Sequence, residues 1–297
     1  MIHKLFILGL FTLVSCTSSS QNVSPSLHPL EPVSGHYKEL QAFDSHPNPS
    51  RAHLDEIEFP PESYSSGTLI YTMAAPHYLT QEQMDELKNS VKPPANSSDQ
   101  TKAEIEFLLE WQNKRTSEQV DRSVDVLAPI GYWPHVDILP THRRYNENLH
   151  NLFYEGREVL GETCTPEKYP ATRRLLAGVT KDMRIMEFVV KYHIIRARPY
   201  HISEELEPLA QISSPSYASG HTLWAYIQAF TWSELVPSKR KQFLDVAYEV
   251  GESREIMGIH YPSDEEAARV LAHRMLTAML ENPSFRNDLE AAKKEWP

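Results

Sequence analysis

Three short stretches in the last third of the chain carry side chains that can hold a phosphoryl group, attack it and protonate what leaves. The first runs from Lys191 to Arg198 and Pro199. The second is Ala218-Ser219-Gly220-His221, and the third is Ser253-Arg254 followed by His260 and Asp264. Lys191, Arg198 and Arg254 are cations suited to the charge that spreads over the equatorial oxygens in phosphoryl transfer. Turn-prone residues Ser213 to Tyr217 precede the second stretch and a helical pattern follows it. Ser219 is therefore expected as an N-cap, with Gly220 leaving its amide open, and such a helix start binds anions. His221 would stand beside that anion, which would raise its pKa and keep it a proton donor. His260 lies four residues before Asp264, and a carboxylate on one ring nitrogen leaves the other as nucleophile or base.

Each stretch also has an ordinary structural reading. Lys191 and Arg198, seven positions apart, would share a helix face, and Pro199 marks the end of that helix; cations there compensate the dipole. Ser219 could simply cap a helix with His221 in its first turn. Asp264 follows Pro262 in the first turn of another helix, where an acid is favoured, and Ser263 with Glu266 would form a capping box. The chemical reading rests on all three stretches meeting.

The elements that must bring them together read as helices. Apolar residues recur at helical spacing in five places. Ile105, Leu108, Leu109 and Trp111 open a run continuing towards Val124 and Leu127, and Met183, Met186, Val189 and Val190 mark Lys181 to Ile195. Three more runs span Thr222 to Leu235, Lys239 to Val250 and Asp264 to Leu280. Strand-like alternation is scarce, with Thr68 to Met73 its main candidate. An all-α bundle is expected over 68–297.

The chain has 297 residues and a net charge of −11, with no basic tract, which argues against nucleic acid as a partner. Met1 to Lys4 carries one basic residue, and the apolar run Leu5 to Val14 is too short to span a bilayer. Residues 1–15 read as a secretory signal, and Cys16, directly after Leu13-Val14-Ser15, as a lipidation site. That would place the protein in the periplasm or at the cell surface, anchored to a membrane only through Cys16, with the outer membrane the expected location. Cys164 would then be the one remaining cysteine, leaving no intrachain disulfide. Residues 16–67 are rich in Ser, Pro and His, and read either as a tether or as an irregular segment wrapping the domain.

Taken together, the three stretches resemble the signature of the acid phosphatase and vanadium haloperoxidase superfamily, which includes the type 2 phosphatidic acid phosphatases. The chain is most similar there to bacterial class A non-specific acid phosphatases. Ser216-Tyr217 and Thr222 around the second stretch, and Gly258-Ile259-His260-Tyr261 and Ala267-Ala268-Arg269 around the third, strengthen that resemblance. It covers about Lys181 to Ala272. Ala218 departs from it, because the family usually has proline there. The resemblance implies an all-α fold, self-association and a mechanism without metal or cofactor. In it His260 forms a phosphohistidine, Asp264 orients His260, and His221 protonates the leaving group. Lys191, Arg198, Ser219, Gly220 and Arg254 would bind the phosphate of a small-molecule ester.

Four rival readings stand beside this one, of which a lipid phosphatase is disfavoured because such enzymes usually carry the motifs among membrane spans. Vanadate bonded to His260 would make the site a haloperoxidase. A lipid-anchored protein could bind phosphate esters without turnover. A zinc hydrolase is the weakest, since the 14 histidines include no His-Glu-x-x-His or comparable spacing.

Overall fold

A computed structural model describes residues 27–130, 141 and 143–296. The signal segment and Cys16 lie outside the described residues. Six helices matter for the site: α1 (Asp99–Lys114), α2 (Pro170–Ile194), α3 (Gly220–Leu235), α4 (Arg240–Ile256), α5 (Pro262–Met279) and α6 (Pro283–Lys293). No strand occurs among the described residues; there is one isolated bridge, between Glu58 and Arg196. The fold is all-α.

The sequence explains the order of packing. α3 is apolar on nearly every face, from Leu223, Trp224 and Ala225 through Phe230 and Trp232, so it must be surrounded. It packs on α4 and α5 most extensively and also on α2, which in turn carries α6. Pro170 opens α2, Pro262 opens α5 and Pro283 opens α6, each at a position where the missing N–H costs nothing. α2 buries Leu175, Leu176, Val179, Met183, Met186 and Val190 along one stripe. Its Asp182 accepts backbone N–H bonds from His77, Tyr78 and Leu79, which pins that loop to the helix.

Three expectations need correction. Thr68 to Met73 is not a strand: Ser66–Leu69 is α-helical and Ile70–Met73 a 3-10 turn. Ile70 is 60% and Met73 83% exposed, and no described strand lies alongside to pair the backbone, so it closes its hydrogen bonds locally. The run begun by α1 does not continue to Leu127. It breaks after Lys114, and Thr116 starts a new helix, Ser117–Asp121, through a capping box with Gln119 that leads into a π-helical turn at Arg122–Leu127. The helix carrying Lys191 stops at Ile194, before Arg198, because Ile195 takes a left-handed conformation at φ 55°.

Residues 27–67 lie against the helical body. Arg240 Nε donates to Glu31 at 2.8 Å, and Arg269 Nη1 to the Glu31 carbonyl at 2.9 Å. Phe59 is buried, and its N–H donates to the Ile195 carbonyl at 3.1 Å.

Candidate active site

Between α4 and α5 the chain turns at Gly258, φ 68°, and His260 precedes Pro262. α5 thus places Asp264 one turn beyond the imidazole. His260 Nδ1 lies 2.9 Å from Asp264 Oδ2. The same oxygen accepts from Ser216 Oγ at 2.5 Å and from the Tyr261 N–H at 3.1 Å, while Oδ1 accepts from Arg196 Nη1 at 2.7 Å. Burial opposes a charge on Asp264, but Arg196 and the hydrogen bond with His260 outweigh it and hold the carboxyl well below the usual carboxylate range. The other ring nitrogen, His260 Nε2, is 2.9 Å from Arg198 Nη1. A guanidinium has no acceptor, so Nε2 must offer its lone pair and Nδ1 must carry the proton to Asp264. Burial, then Arg198, pushes the His260 pKa well below 6.5, in keeping with that neutral tautomer. The ring therefore directs a nucleophilic lone pair towards a cation.

Lys191 and Arg198 converge on the backbone carbonyls of residues 214–216. Arg198 donates to Ser214 O at 2.9 Å and 2.8 Å, to Pro215 O at 3.2 Å and to Ile259 O at 2.9 Å. Lys191 Nζ donates to Pro215 O at 2.8 Å and Ser216 O at 3.0 Å. Both side chains are buried. Burial, reinforced by Arg198, lowers the Lys191 pKa to about 7. Arg254 is pushed down to about 10 by burial, and its Nη2 donates to the Ser123 carbonyl at 2.9 Å.

Ser219 holds the N-cap position of α3, but its hydroxyl donates to Thr222 Oγ1 at 3.1 Å and makes no capping bond. Its N–H reaches the Asp264 carbonyl at 3.2 Å, which ties the start of α3 to α5. The Tyr217–Ala218 peptide before it is cis. Gly220 is packed against Glu187: a Cβ there would clash with Glu187 Oε1. His221 Nε2 is 2.9 Å from the Ala128 carbonyl, so Nε2 carries the proton. Burial and the neighbouring Arg254 push His221 down to about 3, opposite to the rise expected beside a phosphate.

Direct bonds thus join Arg198, His260 and Asp264, and Ser219 joins them through its N–H. Lys191 shares its Pro215 carbonyl with Arg198 and acts electrostatically on both imidazoles. Arg254 and His221 meet on the side covered by residues 123–128. The Ser263–Glu266 capping box is not formed: Tyr261 is the N-cap, the Ser263 hydroxyl donates to Glu104 at 2.8 Å, and Glu266 pairs with Arg269. Among the described residues, no three His, Cys, Asp or Glu side chains are grouped to hold a metal.

Residues 174–288 match the family model of the PAP2 superfamily. The matched region contains every phosphate-site candidate and runs from within α2 into α6. A non-specific acid phosphatase of Providencia stuartii is 30% identical over 147 residues, covering 47% of this chain and 58% of its own length. A non-specific acid phosphatase of Salmonella typhimurium is 26% identical over 157 residues, 50% of this chain and 61% of the relative. The chain thus spans about three-fifths of those relatives. A solved transmembrane PAP2-type phosphatidylglycerolphosphate phosphatase from Bacillus subtilis aligns over 73% of this chain and 92% of its own, at 18% identity and a TM-score of 0.41.

Four residues of the matched region could not be assigned from the sequence. Arg196 binds Asp264, approaches Glu104 to 3.6 Å and stacks 3.8 Å from the centre of the Tyr261 ring. Ser216 had registered only as a flanking residue, yet its hydroxyl holds Asp264. Arg184 and Glu187 form an ion pair, and Arg184 lies over the rings of Tyr71 and Phe188. A signal for that pair did exist: Arg184, Glu187 and Lys191 are spaced at helical intervals on one face.

Proposed function

We propose that this protein is an acid phosphatase that hydrolyses phosphomonoesters through a phosphohistidine intermediate, without a metal. The observation that carries the reading is the His260 ring, held by Asp264 on Nδ1 and facing Arg198 with the lone pair of Nε2. Nε2 attacks phosphorus as the ester P–O bond breaks, and the electron pair leaves with the alkoxide. His221, protonated when the phosphate arrives, gives its proton to that oxygen. Water, giving its proton to the now neutral His221, then attacks phosphorus; the P–N bond breaks, Nε2 recovers its lone pair and inorganic phosphate leaves. For attack, Arg198 must transfer its Nη1 bond from Nε2 to a phosphate oxygen. Lys191, Arg254 and the N-terminus of α3 meet the remaining oxygens. Each unit charge at 4 Å contributes roughly 4 kcal/mol at an effective dielectric of 20, against about 1 kcal/mol in bulk water, so burial of these cations favours the role. The names of the Providencia and Salmonella relatives support the same reading.

His260→Ala should abolish phosphate release from a chromogenic aryl phosphate while the circular dichroism spectrum stays that of the parent. Retained turnover would mean that the nucleophile lies elsewhere. In the same assay a chelator should leave the parent's rate unchanged; inhibition reversed by added zinc would count against a metal-free mechanism. The protein is further read as a lipoprotein of the periplasm or cell surface, on the strength of Cys16 and the apolar run before it. Cys16→Ser should move it from the membrane fraction to the soluble one, and an unchanged distribution on fractionation would remove the anchor from the account.

A further inference from the structure

A second cavity, of about 230 Å3, lies between residues 31–37 and helices α3, α4 and α5. None of the phosphate-site residues lines it. Its wall is acidic, but three of the acids are already neutralised: Glu31 by Arg240 at 2.8 Å, Glu266 by Arg269 at 2.7 Å and Asp245 by Lys241 at 2.7 Å. Glu252, Glu255 and Glu265 have no lysine or arginine partner among the described residues. His36 Nε2 lies 3.2 Å from Glu255 Oε1, and Glu265 feels the more distant charges of Arg254, Lys191 and Arg198 without pairing with any of them.

The decisive feature is a pair of oxygens. Glu255 is 2% exposed and Glu265 8%, and both line the cavity. Glu255 Oε1 meets His36 and Glu265 Oε2 meets the Thr222 hydroxyl. Glu255 Oε2 and Glu265 Oε1 have no hydrogen-bond partner among the described residues. Burial raises the pKa of both carboxyls, and for Glu265 the charge of Glu255 adds to the rise. A buried polar atom left unpaired is costly, and two acids beside one cavity cost more together. A cation between them would remove both penalties.

The rest of the wall indicates which kind of cation. No three carboxylate or imidazole groups are clustered for a metal ion among the described residues. Tyr226, Tyr248 and His36 instead present aromatic rings around the acids, as sites for organic cations do. We infer that this cavity binds a small primary organic ammonium, whose N–H groups donate to Glu255 and Glu265 and whose carbon chain lies against Tyr226 and Tyr248.

Calorimetric titration of the full chain with butylammonium chloride should give saturable one-to-one binding. Glu255→Gln and Glu265→Gln should each weaken it at least tenfold. His260→Ala should bind butylammonium as the parent does, so failure of the phosphatase reading would leave this result standing. Butylammonium should also raise the melting temperature of the unmodified chain above that seen with equal potassium chloride, which keeps the test decisive if a glutamine variant misfolds. Absence of saturable heat, undiminished binding in both glutamine variants, or binding of calcium in preference to butylammonium would each overturn the inference.

Discussion

At the scale of single residues, Lys191 sets how the site should respond to pH. Its ammonium is buried beside Arg198, and both features favour the neutral amine, which brings its pKa to about 7. Glu187, Asp264 and Glu265 pull the other way without cancelling the fall. An anion bound there stabilises the charged form, so above pH 7 binding must take up a proton. Sulfate stays a dianion across that range and so reports on the protein alone. The contribution of Lys191 to its inhibition constant, read as the ratio of Lys191→Met to the parent, should be flat below pH 6 and change about tenfold per pH unit above 7. Lys191→Met should weaken sulfate and lower the slope above pH 7 by about one log unit per pH unit; an unchanged slope in that variant would assign the titration to another group. The linkage also has a sign for stability. Between the folded pKa and the ordinary lysine value the unfolded chain binds more protons, so this residue makes the fold more stable as pH rises through that window. Contacts were legible where spacing alone defines them, as between His260 and Asp264. Arg196 was not, because only the left-handed turn at Ile195 sends its guanidinium back onto Asp264.

At the scale of elements, the contact between α2 and the start of α3 determines what position 220 tolerates. Glu187 projects from α2 onto Gly220, and its pairing with Arg184 restrains it from moving aside. A methyl group at 220 would therefore meet a carboxylate oxygen, an overpacking expected to cost about 1–3 kcal/mol. Gly220→Ala should lower the urea midpoint, and adding Glu187→Ala should restore most of the loss. The double-mutant cycle should return a coupling of about 0.5–3 kcal/mol; strictly additive effects would show that crowding is not what keeps glycine there. The helices themselves could be read from the sequence because burial repeats with their own period, as Leu223, Ile227 and Phe230 show in α3. Thr68 to Met73 misled because alternation says nothing about whether a partner strand exists. α6 was missed because the apolar pattern was followed only as far as Leu280, although Asn282 caps the new helix and Pro283 opens it.

At the scale of the whole molecule, residues 27–67 decide how large the folding unit is. Their composition admits a tether, since two 3-10 turns and isolated apolar side chains leave no period to detect. What the sequence could not reveal is where single residues such as Phe59 would dock. That ring is 1% exposed, stacks on Tyr64 at 5.8 Å and packs against His201 at 5.6 Å. Its N–H is spent on the Ile195 carbonyl, and Glu58 beside it bridges to Arg196, the residue that grips Asp264. The segment therefore touches the same turn that directs Arg196 to the Asp264 carboxylate. Emptying the Phe59 site should cost what a core aromatic costs, about 3–5 kcal/mol for Phe59→Ala. A free tether would give a change near zero. Denaturant unfolding followed by tryptophan fluorescence separates the two outcomes. If the segment belongs to the same cooperative unit, the midpoint should fall without a second transition appearing. An early, separate transition or an unmoved midpoint would mean that α2 to α6 fold without this belt, and that Arg196 needs no support from it.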